Sequence, residues 1–519
     1  MRPDPGSIDL PPWEVVPLGR WEPPHPVAAA LLYGRLPWPQ PTTHPTLPRS
    51  PGLAEALAAH NRRWGNPVEE ELHSWLAGAA VVVAGQQPGV WGGPLLSLVK
   101  ACAVAAEVAR LRASGTPAVG FFWLETRDDD LPEMGWGRVV VGGELVEVKE
   151  RWHRGQACAL AAPLSAEPAA VLALPEERVP PEGRKALPFL REAFAPGVTL
   201  GEACSRLLGR LLSGLGVVLV DAGLPALARA AAPAALALLS RLEEATAALE
   251  ARAGELAASA LPPPLHLRRE MLPFFLLEGG RRRRIGVAAR EHLAEALVHQ
   301  PESVAPNVWV RPLLQDAALG TTVALLGSSE LAYQWQAQDL WDLAGVPRPL
   351  FKLRPHVTVV GPGERRLVAK LAIEPQDLLS ASLPQRIGRR SSLEHALTRM
   401  EAKVLADFAR FASQVREQLP ALAGDLEATQ ERLSGSLGWL SQRLAARLEE
   451  SRGVERQRFD RLRRALRPKG RAQERALSVA APLLSLGLGF PSLLVEALGK
   501  APLDPGEMLL LYWREGGLW

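Results

Sequence analysis

Apolar positions change their spacing several times along this chain, and each change marks an element. Residues 1–51 are dense in proline and hold no sustained period, which predicts an extended arm with a short helix around Pro26–Tyr33. A helical stretch follows from Leu53 to Leu76. Next comes a β-branched run of strand length, Ala79–Ala84, and then a glycine-rich loop, Gly85-Gln86-Gln87-Pro88-Gly89-Val90-Trp91-Gly92-Gly93-Pro94. Beyond the loop, Leu95, Val99, Cys102, Ala106 and Ala109 step by fours and threes. That spacing predicts an amphipathic helix with Pro94 at its first position. Ala118–Leu124 (AVGFFWL) then forms a second buried strand. Strand, loop, helix and strand make one βαβ unit, hence a parallel sheet with a right-handed crossover and an α/β, Rossmann-like core.

Further on, Leu215–Asp221 is another core strand, preceded by a helix at Cys204–Leu212. A long Ala/Leu helix is predicted over 224–258, and short strands near 266–286 include Phe274–Glu278. The arginine run 281–284 is expected on the turn of that hairpin. Core strands recur at Val308–Val310, Thr321–Leu326 and within Pro349–Val360, with a helix at Ser329–Ala344. From Leu393 to Leu448 one apolar stripe takes 15 steps over 55 residues, a mean of about 3.67, so any supercoil should be weak. Pro420 and Gly424 interrupt it, which favours two long helices in an antiparallel hairpin. The resulting plan is an arm and first core part (1–137), a connective insertion (138–200), core (201–223), a second helical and β insertion (224–300), core (301–385), an α-helical coiled coil (386–466) and a C-terminal segment docking on the core (467–519).

At 519 residues the chain exceeds one ordinary core, and 47% hydrophobic residues suffice for packed interiors. The formal net charge of +3 gives no global polycation, so nucleic acid is not an expected partner, although ten Lys/Arg against three acids crowd Arg452–Arg475 and raise RNA binding as one reading. Three cysteines without a CxxC pair suit a reducing cytosol and exclude a disulfide framework. No apolar h-region opens the chain and no run of about 18 apolar residues interrupts it, so a cytoplasmic protein without a membrane span is expected.

Chemistry enters at the strand ends. The four glycines of the 85–94 loop are compatible with a tight structural turn, or with a cradle for phosphate or carboxylate at a helix N-terminus. Gln86 and Gln87 add paired amides, and Lys100 either reaches an anion or is solvated. After the second strand, Asp128, Asp129 and Asp130 are a solvated acidic turn, or a site for an ammonium group, Mg²⁺ or a general base. Ser328 or Ser329 is the expected N-cap of the next helix. Glu330 and Tyr333 share one face of it, as caps and core edges or as site residues. Histidines never pair as HxxxH or HExxH, so no metal is predicted.

Taken together, AGQQPGVWGGPLLSLVKA (84–101), FFWLETRDDDLPE (121–133), NVWVRPLLQDAALGTTVALLGSSELAYQWQ (307–336), GVPRPLFKLRP (345–355) and RPKGRAQERAL (467–477) resemble the cysteine ligases of bacillithiol biosynthesis. The resemblance implies a Rossmann-like core related to class I aminoacyl-tRNA synthetases, inserted connective segments and a helical coiled coil that forms a homodimer. It implies a ligase joining the carboxyl of cysteine to the amino group of glucosaminyl malate, with ATP as a candidate cosubstrate. Carried over by position, Gly85, Gln86, Gln87, Gly92 and Gly93, Trp123 at the strand end, Arg311, Gln315, Asp316, Glu330 and Tyr333 become binding candidates. Asp128, Asp129 and Asp130 become catalytic candidates.

Two departures stand out. Where the family pattern has Glu-Asp-His-Asp, this chain has Arg127-Asp128-Asp129-Asp130, and Gly135-Trp136-Gly137 stand where a second histidine is usual. An imidazole able to shuttle a proton near neutral pH is replaced by a carboxylate. A catalytically altered paralogue acting as a dimeric scaffold, or another amide- or nucleotidyl-forming enzyme, are therefore the alternatives.

Overall fold

A computed structural model describes residues 13–17, 24–42, 48–371, 392–501, 504 and 507–512. Parts of the proline-rich arm (1–12, 18–23 and 43–47) and the expected boundary near 386 lie outside the described residues. The chain divides into two compact units, one holding Gly363–Arg463 and the other Ser7–Pro362 with Arg464–Trp519.

The larger unit is built on five parallel strands. In chain order its strands are β1 (Trp13–Pro17), β2 (Ala80–Gln86), β3 (Ala118–Leu124), β4 (Trp136–Val141), β5 (Glu144–Lys149), β6 (Val217–Asp221), β7 (Met271–Glu278), β8 (Arg281–Gly286), β9 (Val304–Pro306), β10 (Val323–Leu326), β11 (Leu350–Leu353), β12 (His356–Val360) and β13 (Glu507–Tyr512). The central sheet runs β11-β10-β2-β3-β6, all parallel. Alternate residues feed two cores: Val81, Val83, Phe121 and Val218 face one side, and Val82, Ala84, Phe122 and Leu219 the other. A strand buried on both faces must be apolar throughout, which is why these segments read as runs rather than alternations.

The helix after the glycine loop, Leu96–Ala113, is not amphipathic in the expected sense. Leu96 through Ala106 are all buried. The sheet covers one side, and the C-terminal helix Phe490–Lys500 packs on the same helix from elsewhere, with Cys102 Sγ 3.6 Å from Pro491 O. Pro94 precedes the helix in an isolated bridge to Ser478. β13, near the end of the described residues, pairs with β1 and β12.

Several elements differ from expectation. The 53–76 stretch divides into Pro51–Arg63 and Glu69–Leu76, with Gly65 at φ +75° between them. The 224–258 helix breaks at Arg241 into Pro225–Ser240 and Leu242–Ala258. Ser329–Ala344 becomes Ser328–Gln336 and Leu340–Leu343. No strand forms at Val308–Val310; the strand is Val304–Pro306, and Arg311 opens the helix Arg311–Leu319. The arginine run is not on a turn: Gly279 and Gly280, both at positive φ, make the turn, and Arg281–Arg284 lie in β8.

In the smaller unit, Ser392–Gln418 and a helix beginning at Ala423 flank a turn at Pro420–Leu422. Arg416–Glu427 at 3.9 Å and Ser441 Oγ–Glu401 at 3.5 Å link the two as an antiparallel hairpin. No single helix among the described residues is long and apolar enough to cross a membrane.

Candidate functional site

The strand order reverses direction between β2 and β10, and in such sheets ligands bind beyond the carboxyl ends of the strands at that point. A cleft of ≈ 1170 Å³ opens there. Its floor is made by residues at or just past those ends: Gln86 closing β2, Glu125 after β3, Gly327 after β10 and Arg354 after β11.

Lys100 and Glu330 tie the two halves of the sheet together beneath the cleft. Lys100 is 2% exposed, and its three ammonium hydrogens are matched by three acceptors: Gly85 O at 2.7 Å, Gln86 Oε1 at 3.0 Å and Glu330 Oε2 at 2.7 Å. It is neither solvated nor free for an anion. Glu330 Oε2 also accepts from the Gly327 N–H at 2.7 Å, so Gly327, rather than Ser328 or Ser329, is the N-cap. Burial lowers the Lys100 ammonium pKa and Glu330 opposes it. Burial works to raise the Glu330 carboxyl, but Lys100 holds it below its ordinary value.

Arg311 and Tyr333 stand beside it. Arg311 Nη2 donates to the Tyr333 oxygen at 3.2 Å, and Nη1 lies 4.0 Å from Glu125 Oε2. Burial pushes the Tyr333 phenol up to about 12 despite Arg311. The phenol therefore keeps its proton, and with its oxygen already accepting, that proton is available to a ligand. Glu125, 2% exposed, also accepts from Trp123 Nε1 at 3.1 Å and faces Arg127 at 3.6 Å.

The acidic turn closes one side. Asp128 accepts from Gln87 Nε2, from the backbone N–H groups of Asp129 (2.8 Å) and Asp130 (3.3 Å), and from Arg282 Nη1 (3.2 Å). The same Arg282 nitrogen reaches Asp129 at 3.3 Å, and Asp130 pairs with Arg154. Glu133 lines the cleft with no hydrogen bond or ion pair among the described residues, and the charges of Arg154 and Arg471 act on it from farther off. Burial, then Asp130 and Asp128, raise its carboxyl above the ordinary range. Among the described residues no group of His, Cys, Asp and Glu is placed to hold a metal ion.

Of the positions singled out in the sequence, Gln86, Gln87, Lys100, Asp128, Asp130, Arg311, Ser329, Glu330 and Tyr333 line this cleft. The remaining site candidates do not. Gly85, Gly92 and Gly93 act in packing: a Cβ on Gly85 would lie 3.0 Å from Trp123 O, and one on Gly92, at φ +89°, would meet Leu207 Cδ2 at 2.7 Å and Val479 Cβ at 2.8 Å. Gly93 borders a smaller adjoining cavity of ≈ 120 Å³. The N–H of Leu95 is taken by Leu477 O at 2.7 Å, so the start of this helix is partly capped from within the chain. Trp123 supports Glu125 from behind, and Asp129 is clamped by Arg282. Gln315 contacts Asp316, which is buried against Trp341 Nε1 at 2.9 Å. Sequence reasoning missed Glu133, Arg268, Arg282, Arg284 and Arg354. The usable signal was the arginine run, had its alternation been placed on a strand.

Residues 40–355 match the family model described as Bacillithiol biosynthesis BshC, N-terminal Rossmann-like domain, and residues 357–504 match its C-terminal coiled-coil domain. A relative from Solibacter usitatus, named "Putative cysteine ligase BshC", is 27% identical over 81% of this chain and 83% of its own length. Relatives of the same name from Koribacter versatilis (27%; 87% and 88%) and Geobacillus kaustophilus (26%; 82% and 84%) align similarly. With both domain models matched in order along the chain, it belongs to the bacillithiol biosynthesis BshC family.

Proposed function

We propose that this chain is an amide-forming ligase that joins the carboxyl of cysteine to the amino group of glucosaminyl malate, with ATP activating the carboxyl. The observation that carries this reading is the meeting, in one cleft of a BshC-family chain, of the Arg311–Tyr333 donor pair with the unpartnered carboxylate of Glu133. The printed name of its relatives, cysteine ligase, supports the cysteine-ligating part of this reading. A ≈ 1170 Å³ cleft slightly exceeds the usual range for one small ligand, which suits two substrates and a cosubstrate.

In this proposal Tyr333 donates to the oxygen that gains charge as the amine adds to the activated carboxyl, and Arg311 orients the phenol. A C–N bond forms, the C–O bond to the activating phosphate breaks, and the ammonium proton passes to a carboxylate. The aspartate turn supplies the surroundings of that base. Asp128 is occupied by four donors, whereas Glu133 has its lone pairs free and a raised proton affinity. The helical unit supports a homodimer. Leu393, Met400, Phe411, Trp439 and Leu440 are exposed along it, as an apolar stripe awaiting a second copy would be.

Incubating the protein with cysteine, glucosaminyl malate and ATP should yield the cysteinyl amide, detected by mass spectrometry. Glu133→Gln should lose most of the rate and its rise with pH. Absence of product from folded, dimeric protein would remove the ligase reading. The scaffold alternative, favoured by Asp129 at the family's histidine position and its clamp by Arg282, predicts that outcome.

A further inference from the structure

Placed on a strand, the arginine run 281–284 divides between two faces. Arg281 and Arg283 share one, where Arg283 pairs with Glu278 at 2.8 Å. Arg282 and Arg284 share the other: both line the cleft, and both guanidinium groups lie over the Phe275 ring, 4.6 and 5.7 Å from its centre. Stacking on an aromatic face orients a guanidinium while leaving its N–H edge available.

The two inward arginines differ in what they hold. Arg282 donates to Asp128, Asp129 and, at 2.9 Å, to Pro306 O, yet its Nε–H is buried without an acceptor although the side chain is only 10% exposed. Arg284 has no carboxylate partner among the described residues. Arg268, from the segment leading into β7, lines the same cleft and likewise has none, whereas its neighbour Arg269 is neutralised by Glu250 at 2.7 Å. This wall of the cleft therefore presents cations without anions, beside an orphaned buried donor. Such a surface is completed by a ligand oxyanion.

We propose that Arg284 and Arg268, with the Arg282 Nε–H at its inner edge, form an anion subsite that receives the carboxylate-bearing end of the acceptor substrate. Under the ligase reading, on which the identity of that acceptor rests, this end is the malyl group of glucosaminyl malate. Its amine then points toward Glu133 and Tyr333. Anchoring a remote charged group is a way to orient the reacting one.

Phosphate shares the chemistry of carboxylate, so the test carries both probes. L-Malate and, separately, tripolyphosphate are titrated calorimetrically into the full-length wild type, Arg284→Ala, Arg284→Ala/Arg268→Ala and the opposite-face variant Arg281→Ala, each with its thermal melt recorded. Malate affinity should fall at least tenfold in Arg284→Ala, further in the double variant, and less than twofold in Arg281→Ala, with tripolyphosphate little changed. Unchanged malate affinity in the double variant, an equal loss in Arg281→Ala, or a loss confined to tripolyphosphate each overturns the proposal. In turnover, KM for glucosaminyl malate should rise tenfold or more while KM for cysteine holds. Wild type that binds malate through Arg284 but forms no amide would refute the ligase reading and leave the subsite standing.

Discussion

On the sheet side of the cleft, charges satisfy one another: Lys100 with Glu330, Arg311 with Tyr333 and Glu125, and behind them Arg354 with Glu474. On the β7–β8 side, Arg268 and Arg284 are exposed, without such partners among the described residues. The first wall has its geometry set before any ligand arrives, at the cost of desolvating several ions that must stay paired. On the second, Arg284 lies over the Phe275 ring with no carboxylate partner among the described residues. In the proposed reaction the first wall positions the chemistry and the second receives the anion.

The sharpest way to break this contrast is at Glu474. Its carboxylate takes Arg354 Nη2 at 2.6 Å, His356 Nδ1 at 2.8 Å and the Val357 N–H at 3.0 Å, and it is 1% exposed. Glu474→Gln should cost ~3–5 kcal/mol in urea unfolding, because it leaves a buried guanidinium uncompensated. Burial alone would raise this carboxyl, but Arg354 and His356 hold it far below its ordinary value. Its contribution is therefore present above the unfolded value and is lost as pH falls below about 4. A loss under ~1 kcal/mol would mean that the sheet wall does not depend on buried pairing.

Next in size is Gly92→Ala, expected to destabilise by ~2–3 kcal/mol through a left-handed backbone and two contacts under 3 Å. Thermal melts test it; a neutral result would show that the glycine loop tolerates movement. A smaller effect is expected at Asp316, whose carboxyl burial pushes up to about 7 against bonds from Trp341 and Gln315. The folded chain then retains a proton that the unfolded chain releases near pH 4. This group costs stability as pH rises from about 4 to about 7, and adds no further dependence above that. Asp316→Asn should flatten that slope and stabilise by ~1–3 kcal/mol at pH 8, read from unfolding curves at several pH values. The smallest change should come from Arg284→Ala, within ~0.5 kcal/mol of wild type in the same melts. A large loss there would make Arg284 structural and erase the difference between the walls.

Much of the core was legible because its signals are local. Ala118–Leu124 is a strand over the predicted span, since seven apolar residues buried on both faces need no alternation. Leu200–Leu212 and Val217–Asp221 also follow their patterns closely. Lys100 was not legible. It falls off the apolar stripe of its helix, yet the partner that permits its burial, Glu330, lies 230 residues away. Glu474 meets Arg354 at a separation of 120. The arginine run failed for a more local reason. Gly279-Gly280 can adopt positive φ where arginine does so at a cost, so the turn falls before the run and its charges enter a strand.

By itself the sequence determined the parallel Rossmann-like core, the helical hairpin and the glycine loop, because period, apolar runs and turn residues act over a few positions. Four of the site's members at its centre, Gln86, Arg311, Glu330 and Tyr333, also stood out in family-like motifs. Only the tertiary structure decided which charges pair, which glycines pack rather than bind, and which arginines face the cleft. Those outcomes depend on desolvation and on partners contributed by distant segments, and neither is written in any short window of the chain.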